Sequence, residues 1–355
     1  MTFSEDGLIT LASRILTAAG SKPADAACVA ADLARSNLLG HDSHGVMRLV
    51  QYVGFIREGH VDVAAEPEVL VDRPAVCVVD GKSAFGQVVS RFALERAAEK
   101  ASAAGAATVL VRNCNHVGRL GGVTEEAAKR GFAAVMVANA PGPGQVAPLG
   151  ARERRMGTNP ISVAAPARLG DDAPPLVLDM TTSATAEGKL RVARQKGESV
   201  PEGQIIDRRG NPSTDPEDFY EDDAGSILPL GGPLAHKGYG LAVAADLLAG
   251  VLSGAGVGRT DLPRGANGVY LSLTDIRAVM DESEYDRWLA AYESHIRGAA
   301  PIREGETIRL PGDVERERAA ERAAGGIPLP AETWRQIREL AGELGVDVSD
   351  IGAGV

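Results

Sequence analysis

The sequence is poor in aromatic residues and in positive charge. Aromatic residues make up 4% of the 355 residues, and 37 Lys and Arg stand against 48 Asp and Glu, which gives a net charge of −11. Nucleic-acid-binding surfaces need clustered positive charge for phosphate groups. Binders of single strands also need aromatic side chains on which bases stack. We therefore expect no nucleic-acid partner.

Cysteines are few, and long apolar runs are absent. The cysteines stand far apart without C-x-x-C spacing, and they are Cys28, Cys77 and Cys114. This pattern is typical of a reducing compartment and argues against a disulfide framework or a zinc site. The longest apolar stretch, 241–252, contains Asp246 and is too short to span a bilayer. The first ten residues, MTFSEDGLIT, lack the pattern of a signal peptide, so we expect a cytoplasmic protein without membrane contact.

Hydrophobic periodicity predicts helices at both chain ends and an α/β pattern between them. The first seventy residues carry apolar side chains at helical spacing, with Ser4 as an N-cap and a third helix beginning at Ser43. From about residue 68, strands alternate with helices, and the tail is helical again. The length suggests about two domains. We predict a helical domain from 1–70 with 300–355, and an α/β domain from 71–299.

One glycine-containing segment matches the sequence motif of a Rossmann dinucleotide-binding site. The segment GPGQVA (142–147) matches G-x-G-x-x-A and follows a predicted strand. A Rossmann site also needs a helix that opens at these glycines and points its amides at the pyrophosphate. Pro148, Gly150 and the charged run after them do not predict such a helix. We therefore predict a loop here, and a second long functional or covering loop at 197–233.

A histidine and an arginine stand four residues apart in SHGVMR (43–48). On a helix that begins at Ser43, His44 and Arg48 share one face. Imidazole donates or accepts a proton near neutral pH, and guanidinium binds a carboxylate through two hydrogen bonds. The pair suits a substrate with a carboxylate beside a carbonyl or hydroxyl carbon. By itself the spacing favours a structural role, in which His44 caps the helix and Arg48 pairs with a surface acid.

Four further segments place polar side chains at strand ends or at a helix start. His116 follows a strand in NCNHVG (113–118), at a position where α/β domains bind ligands. Asp179 ends another strand, where it can orient a histidine or cap a helix. The segment MGTNP (156–160) offers hydroxyl, amide and backbone groups, and AHKGYG (235–240) has the glycines and lysine of a phosphate site. Taken alone, each segment also fits an ordinary turn or cap.

Together and in this order, the segments resemble the malate/L-lactate/L-sulfolactate dehydrogenase family of non-Rossmann nicotinamide-dependent reductases. Ureidoglycolate dehydrogenase, diketogulonate reductase and the piperideine/pyrroline-2-carboxylate reductases are similar to it. The resemblance covers nearly the whole chain and rests on SHGVMR (43–48), NHVG (115–118), GTNP (157–160), LDMTTSATAEGK (178–189), VPEGQIIDRRGNPSTDP (200–216), LPLGG (228–232), HKGYGLA (236–242), RLPGD (309–313) and GIPLPAETW (326–334).

The resemblance implies an α/β fold, with a non-Rossmann dinucleotide-binding domain beside an orthogonal helical domain formed by both chain ends. It implies NAD or NADP as cofactor, a small carboxylate substrate and a homodimer. The proton-transfer histidine of the family corresponds to His44 in some members and to His116 in others, and both are present here. Ser43 and Asp179 correspond to residues that support the histidine, and Arg48 to the residue that holds the substrate carboxylate.

The cofactor positions of the family correspond to Asn139, Thr158, Leu178, Asp179, Met180, Thr181, His236, Lys237, Gly312, Asp313 and Val314. At His236 the family commonly has an aromatic residue, which puts a stacking contact with the cofactor at this position in doubt. A basic run before GTNP could select a 2′-phosphate, but a solvated surface is the expected role of Arg152, Arg154 and Arg155.

Three functions remain in comparison. The resemblance favours an NAD(P)-dependent reductase of 2-oxo acids, with a reductase of cyclic imine carboxylates as a close variant. A metal-dependent hydrolase would use His41, Asp42, His44 and His116, but these residues do not form an H-x-H or H-E-x-x-H motif, and we expect no metal site. A cofactor-binding protein without catalysis is the third possibility, and the intact histidines and Arg48 argue against it.

Overall fold

A computed structural model describes residues 1–169, 173–220 and 224–352 of the chain. Its helices are α1 (Glu5–Ala18), α2 (Pro23–Leu38), α3 (Arg48–Arg57), α4 (Gly86–Ala104), α5 (Leu120–Lys129), α6 (Glu187–Lys196), α7 (Ala235–Ala245), α8 (Glu282–Arg297), α9 (Asp313–Gly325) and α10 (Ala331–Glu343). Its strands are β1 (Thr2–Phe3), β2 (Glu68–Asp72), β3 (Val76–Asp80), β4 (Ala106–Cys114), β5 (Phe132–Asn139), β6 (Ile161–Ala165), β7 (Leu176–Met180), β8 (Ile205–Ile206), β9 (Pro212–Ser213), β10 (Ser226–Ile227), β11 (Asn267–Asp275) and β12 (Ile327–Pro328).

A mixed seven-stranded sheet organises the middle of the chain in the order β2-β3-β4-β11-β5-β6-β7. Strands β3 and β4 are parallel, and the other neighbours are antiparallel. Since β11 runs against both β4 and β5, these two strands point the same way, and β7 points with them. The last residues of β4, β5 and β7 therefore reach one edge of the sheet, and we call this the site edge.

Apolar side chains form separate cores around this frame. One face of the sheet packs against α4 and α5, with Leu94, Val109 and Leu271 fully buried between them. A second core joins the two ends of the chain, because Leu33 of α2 and Ile337 of α10 belong to one cluster. Strand β1 pairs with β12 in the same region. The prediction that both chain ends are helical and meet is therefore confirmed.

The stretch 197–233 differs from the covering loop that the sequence predicts. Among its described residues, β8, β9 and β10 form a small antiparallel sheet. Ile205 and Ile227 of this sheet pack with Val146, with Leu190 of α6 and with Phe219. Each of these strands is only two residues long, which is too short to show a strand pattern in the sequence. The abundant Gly, Pro and Asp of the stretch therefore predicted a loop.

The loop prediction for residues 142–147 holds. Val146 bridges Met156 and Ile227, and the Val146 amide bonds to the Met156 carbonyl oxygen at 2.9 Å. The expected Ser4 cap is also present, since Ser4 Oγ accepts a hydrogen bond from the Gly7 amide at 3.0 Å. Within the described part of the chain, no helix combines the length and apolarity that a bilayer crossing requires.

The expected helix beginning at Ser43 is wrong. Residues Asp42–His44 form one 3-10 turn, Gly45 is extended, and α3 begins only at Arg48. Asn37 explains the break, because its Oδ1 accepts the Val46 amide at 2.8 Å, and a Cβ on Gly45 would lie 2.1 Å from that same oxygen. The segment thus wraps around a buried asparagine side chain instead of continuing a helix.

Candidate active site

Ser43, His44 and Arg48 lie together although they do not share a helix. Nε of Arg48 donates to the backbone oxygen of Ser43 at 2.6 Å, and its Nη1 donates to Oε1 of Gln51 at 2.6 Å. Oγ of Ser43 lies 3.1 Å from Nδ1 of His44, so Ser43 contacts the ring and is not a helix cap. Arg48 is only 7% exposed. The 3-10 turn brings His44 towards Arg48 by folding the chain back on the start of α3.

His116 joins this group from the site edge, just beyond β4. Its ring is nearly parallel to that of His44, with 5.7 Å between the ring centroids and 17° between the planes. Tyr52 of α3 places its hydroxyl 2.8 Å from Nδ1 of His116. Our sequence reasoning missed Tyr52, although it stands four residues after Arg48 on the same helix, which is the spacing of one helix face.

Both histidines are held in their neutral form. Burial lowers the pKa of His44 well below its usual value, and the nearby charge of Arg48 lowers this pKa further. Burial also lowers the pKa of His116 to about 3, again assisted by Arg48 and by Arg191. An anion bound at Arg48 would offset that positive charge and raise the pKa of both rings. The site is therefore arranged so that a bound carboxylate favours protonation of a histidine.

Helix α6 closes the other side of Arg48. A Cβ on Gly188 would lie 2.6 Å from Cβ of Ser43 and 3.4 Å from Nη2 of Arg48, so a glycine permits this close approach. Glu187 is held by Arg191, whose Nη2 donates to it at 2.8 Å, and by the hydroxyl of Tyr220 at 2.8 Å. Arg48, the predicted carboxylate-binding residue, therefore lies near Glu187, whose carboxylate is already bound by Arg191 and Tyr220.

Asp179 of β7 lies beside a different group of residues. Its Oδ2 accepts a hydrogen bond from the Gly121 amide at 2.7 Å. Burial raises its pKa, while the charges of Arg119 and His41 act in the opposite direction. A Cβ on Gly121 would lie 2.2 Å from Nη1 of Arg119. The support of His44 by Asp179 stays a prediction, because the described bonds take the Asp179 carboxylate to α5 and the His44 ring to Ser43.

A cleft opens between Asp179 and the start of α9. His41, Arg119 and Gly312 line it. Gly312 has a φ of +95°, a left-handed conformation that favours glycine. Arg119 was another residue that our sequence reasoning did not select, although it lies directly after the NHVG segment. It is 5% exposed and pairs at 3.1 Å with Glu125, which also lines the cleft.

Several residues at predicted cofactor positions make hydrogen bonds within the protein. The fully buried side chain of Asn139 donates to the Gly256 oxygen at 2.9 Å and accepts the Gly268 amide at 3.2 Å. The backbones of Leu178 and Met180 pair with β6 at the edge of the sheet. These residues shape the site edge, and Asn139 is held there by bonds within the protein.

Asp313 is also engaged within the protein. Its carboxylate binds Arg297 at 2.7 and 3.0 Å, accepts the Leu310 amide at 2.7 Å and pairs with Arg316. The guanidinium of Arg297 is the main reason why the pKa of Asp313 falls to about 2. The neighbouring Val314 is 49% exposed. The RLPGD segment thus anchors α9 and leaves Gly312 at the cleft.

The start of α7 lies next to Thr181. The Leu230 amide donates to the Thr182 oxygen at 3.0 Å, and a Cβ on Gly238 would lie 2.2 Å from the Leu230 oxygen. This brings the first turn of α7, with the exposed His236 and Lys237, towards the site edge. Thr181 itself donates through its hydroxyl to the Ser183 oxygen at 3.1 Å, and the Thr158 oxygen accepts the Thr182 amide at 3.1 Å.

The donor set fits a dinucleotide phosphate. Among the described residues, no side chain caps the N-terminus of α7, where the backbone amides and Lys237 together favour an anion. The cleft beside Asp179 contains Arg119 and Arg316 together with the acids Glu125 and Glu315, so the phosphate donors are those of α7. These features suit the pyrophosphate of NAD or NADP without a G-x-G-x-x-G turn.

One expectation for the basic run is wrong. Arg154 is not a solvated residue, because its guanidinium lies 3.9 Å from the ring centroid of Phe219 and its Nε donates to the Gly225 oxygen at 2.7 Å. Its Nη2 donates to the backbone oxygen of Phe219 at 2.5 Å. Arg155 is exposed and pairs with Glu153. Arg154 therefore fastens the small sheet, and Arg155 fits the expectation.

The residues of the hydrolase alternative have separate partners. Asp42 binds Arg322 at 2.7 and 3.0 Å, and His41 lies 3.3 Å from Glu315. Across residues 1–169, 173–220 and 224–352, no cluster of three or more His, Cys, Asp or Glu side chains is arranged to hold a metal ion.

The chain is similar in sequence and in structure to known dehydrogenases and reductases. The chain is 35% identical over 331 residues to hydroxycarboxylate dehydrogenase B of Escherichia coli K12, covering 92% of this chain and 90% of that protein. A solved structure of a putative malate/lactate dehydrogenase from E. coli superposes with a TM-score of 0.90 at 33% identity, covering 98% and 96% of the two chains. The Δ1-piperideine-2-carboxylate reductase from Pseudomonas syringae superposes at 0.82 with 30% identity, covering 96% and 100%.

The sequence profile described as malate/L-lactate dehydrogenase matches residues 3–338. This match spans the SHGVMR turn, the site edge, α7 and the cleft at α9. The arrangement of two histidines, an arginine and a non-Rossmann sheet edge is thus accompanied by similarity over nearly the entire chain, and the chain belongs to the malate/L-lactate dehydrogenase family.

Proposed function

We propose that the protein transfers a hydride between NAD(P) and a small 2-oxo or 2-hydroxy acid. The observation that carries this proposal is the buried guanidinium of Arg48 beside the parallel, neutral rings of His44 and His116. An arginine that is nearly inaccessible to water binds a carboxylate strongly. Two histidines next to it can serve the oxygen on the adjacent carbon.

Each residue of this group has a proposed role. Arg48 holds the substrate carboxylate, and His44 gives its proton to the substrate oxygen, with His116 as the second candidate. Because Ser43 Oγ contacts Nδ1 of His44, the Nε2 atom is the one left for the substrate. Reduction of a carbonyl leaves negative charge on its oxygen, and a positioned acid is worth about 10²–10⁴ in rate. Asp179 is proposed to support the histidine from β7.

We propose that the dinucleotide lies along the site edge, between the first turn of α7 and the cleft at Gly312. When bound, the nicotinamide supplies or accepts the hydride. Lys237 and the α7 amides would bind phosphate, His236 and Thr181 would border it, and Thr158 and Val314 would complete the edge. Either NAD or NADP fits these donors. The α/β domain of this proposal is 71–299, and the helical domain is 1–70 with 300–355.

A homodimer in the cytoplasm completes the proposal. Large apolar side chains are exposed on α8 and beyond α7, where Trp288 is 60%, Leu247 55% and Val251 59% exposed. Exposed apolar groups of this size are typical of an interface. The three cysteines are free thiols, as in proteins of a reducing compartment. Light scattering during gel filtration checks the dimer.

The decisive experiment is a panel of 2-oxo acids and cyclic imine carboxylates with NADH and with NADPH, followed at the nicotinamide absorbance. We expect reduction of a 2-oxo acid, and loss of at least about 10²-fold in His44→Asn with cofactor affinity retained. The exposed His295 offers a control, as His295→Asn should keep full activity. Full turnover in His44→Asn but not in His116→Asn would move the proton donor to His116.

A cyclic imine carboxylate is the alternative substrate. The similarity to the P. syringae reductase, which superposes over 96% of this chain, is consistent with it. Such a substrate also has a carboxylate for Arg48 beside its reducible carbon. Turnover of the imine without any turnover of 2-oxo acids would select this alternative. If no carboxylate substrate of either kind is reduced, both proposed substrate classes are wrong.

A further inference from the structure

A line of buried polar side chains leads from His116 into the helical part of the molecule. The Tyr52 hydroxyl lies 2.8 Å from Nδ1 of His116, and Nε2 of Gln87 donates to the Tyr52 oxygen at 2.9 Å. Tyr52 is 1% exposed and Gln87 is 4% exposed. The Gln87 amide in turn faces the carboxylate of Asp32 on α2, and both groups border Gly118. His116, Tyr52 and Gln87 are therefore joined by hydrogen bonds, and Asp32 on α2 faces the amide end of this chain of bonds.

The donors in this network fix the direction of each hydrogen bond. An amide nitrogen can only donate, so the Tyr52 oxygen accepts from Gln87. The hydroxyl proton of Tyr52 is then free for Nδ1 of His116, which accepts it in the arrangement that leaves this proton paired. A neutral imidazole that accepts at Nδ1 carries its own proton on Nε2. The network thus selects one of the two tautomers of His116.

Asp32 determines which end of the Gln87 amide faces Tyr52. A carboxylate attracts the amide nitrogen and repels the amide oxygen, so charged Asp32 keeps Nε2 at the junction. Burial raises the pKa of Asp32 to about 7, the charges of Arg119 and Arg91 and the Gln87 amide lower it, and Asp179 raises it. The carboxylate is therefore charged in mildly alkaline solution.

Two buried oxygens bear on the orientation of the Gln87 amide. Oε1 of Gln87 and Oδ2 of Asp32 are buried and have no hydrogen-bond partner among the residues that the structure describes. Rotating the amide by 180° would give Oε1 the Tyr52 proton, but would place it against the Asp32 carboxylate. The observed orientation avoids this repulsion and leaves the amide oxygen unpaired.

We propose that Asp32 and Gln87 are positioning residues that, through Tyr52, hold His116 as the tautomer with its proton on Nε2. His116 then offers the site a hydrogen-bond donor for a substrate oxygen, and its Nε2 has no lone pair with which to accept a proton. The catalytic consequence rests on the proposed function, whereas the tautomer is a property of the free protein. The two can therefore be tested separately.

The test uses the full-length protein labelled with ¹⁵N at its six histidines. Two-bond ¹H–¹⁵N spectra of the imidazoles at pH 8.5 identify the tautomer of each ring, and His116→Asn assigns the signal of His116. We expect the Nε2-protonated form in the wild type. Gln87→Met removes the donor at similar volume, and we expect mixed tautomers and a three- to tenfold lower kcat with 2-oxo acids, at unchanged cofactor affinity.

Two variants make the result specific. Ser90→Ala alters another buried polar side chain on α4 and should change neither the spectrum nor kcat. Asp32→Asn keeps the volume of the side chain, removes its charge and should also mix the tautomers, so it replaces Gln87→Met if that variant does not fold.

A wild-type ring protonated on Nδ1, or a spectrum unchanged in both variants, would overturn the proposed tautomer control. Mixed tautomers with unchanged kcat would overturn the positioning role in turnover. If the wild type reduces no carboxylate at all, the proposed function fails, and the spectra still decide whether Asp32 and Gln87 set the tautomer.

Discussion

Replacing His116 with glutamine should make the folded protein less sensitive to acid. Burial and the charges of Arg48 and Arg191 lower the pKa of His116 to about 3, whereas a histidine in an unfolded chain titrates near 6.5. Between these two values the unfolded chain binds more protons than the folded protein. The stability that the neutral ring allows is therefore complete above about pH 6.5, and it is lost as the pH falls towards 3.

The size of the effect follows from the pKa difference. A pH of 5 is about 1.5 units below the pKa of the ring in the unfolded chain, and each unit is worth about 1.4 kcal/mol. At this pH, His116 should therefore lower the free energy of unfolding by roughly 2 kcal/mol. Asp32 acts in the opposite direction, because its raised pKa lets the folded protein take up a proton as the pH falls below about 7. Only the difference between proteins isolates the histidine.

Urea unfolding at pH 7.5 and at pH 5.0 measures this difference. We expect the loss of unfolding free energy between the two pH values to be smaller by roughly 2 kcal/mol in His116→Gln than in the wild type. The exposed His295 on α8 provides the matched control, because His295→Gln should behave as the wild type. Equal losses in the wild type and in His116→Gln would refute the claim that the fold keeps this ring neutral.

Three further substitutions test the site and its frame. Arg48→Lys should lower kcat/KM for 2-oxo acids at least about tenfold, because an ammonium lacks the planar donor pair, and an amide substrate that turns over as well as the acid would contradict the carboxylate role. Arg154→Ala should destabilise the fold by about 2 kcal/mol in thermal unfolding, whereas Arg155→Ala should change stability by less than about 0.5 kcal/mol; an altered preference between NADH and NADPH in Arg155→Ala would instead assign that residue to a 2′-phosphate. Lys237→Ala should weaken NADH binding roughly tenfold in a fluorescence titration, and more at low salt; an unchanged Kd would place the phosphates away from α7.

The regular elements follow from local patterns in the sequence. The strands and helices expected to alternate from about residue 68 are present, among them α4 at Gly86–Ala104 and β5 at Phe132–Asn139. Such elements depend on interactions between residues a few positions apart, so a short window of sequence contains most of the information. The same reasoning rejected a Rossmann turn at 142–147, because the residues needed for its helix are missing.

The grouping of His44, Arg48 and His116 was expected from the family resemblance, but the reason for it was not. The sequence places His44 and Arg48 on one helix, whereas a 3-10 turn wrapped around Asn37 brings them together. Asn37 precedes the turn by several residues and lies inside another helix, so a local pattern does not reveal its role. The bond that decides the backbone there is made by a side chain from outside the segment.

The sequence by itself determined the α/β pattern between helical ends, the meeting of those ends and, through its motifs, the family. Only the tertiary structure decided the partners of individual polar groups: Arg154 turned out to lie over Phe219, and Gln87 to stand between Tyr52 and Asp32. Asp32 and Gln87 are 55 positions apart in the chain. Their contact depends on how α2, α3 and α4 pack against one another. That packing results from many apolar contacts between residues far apart in the chain, whereas a sequence motif contains information only about residues close together.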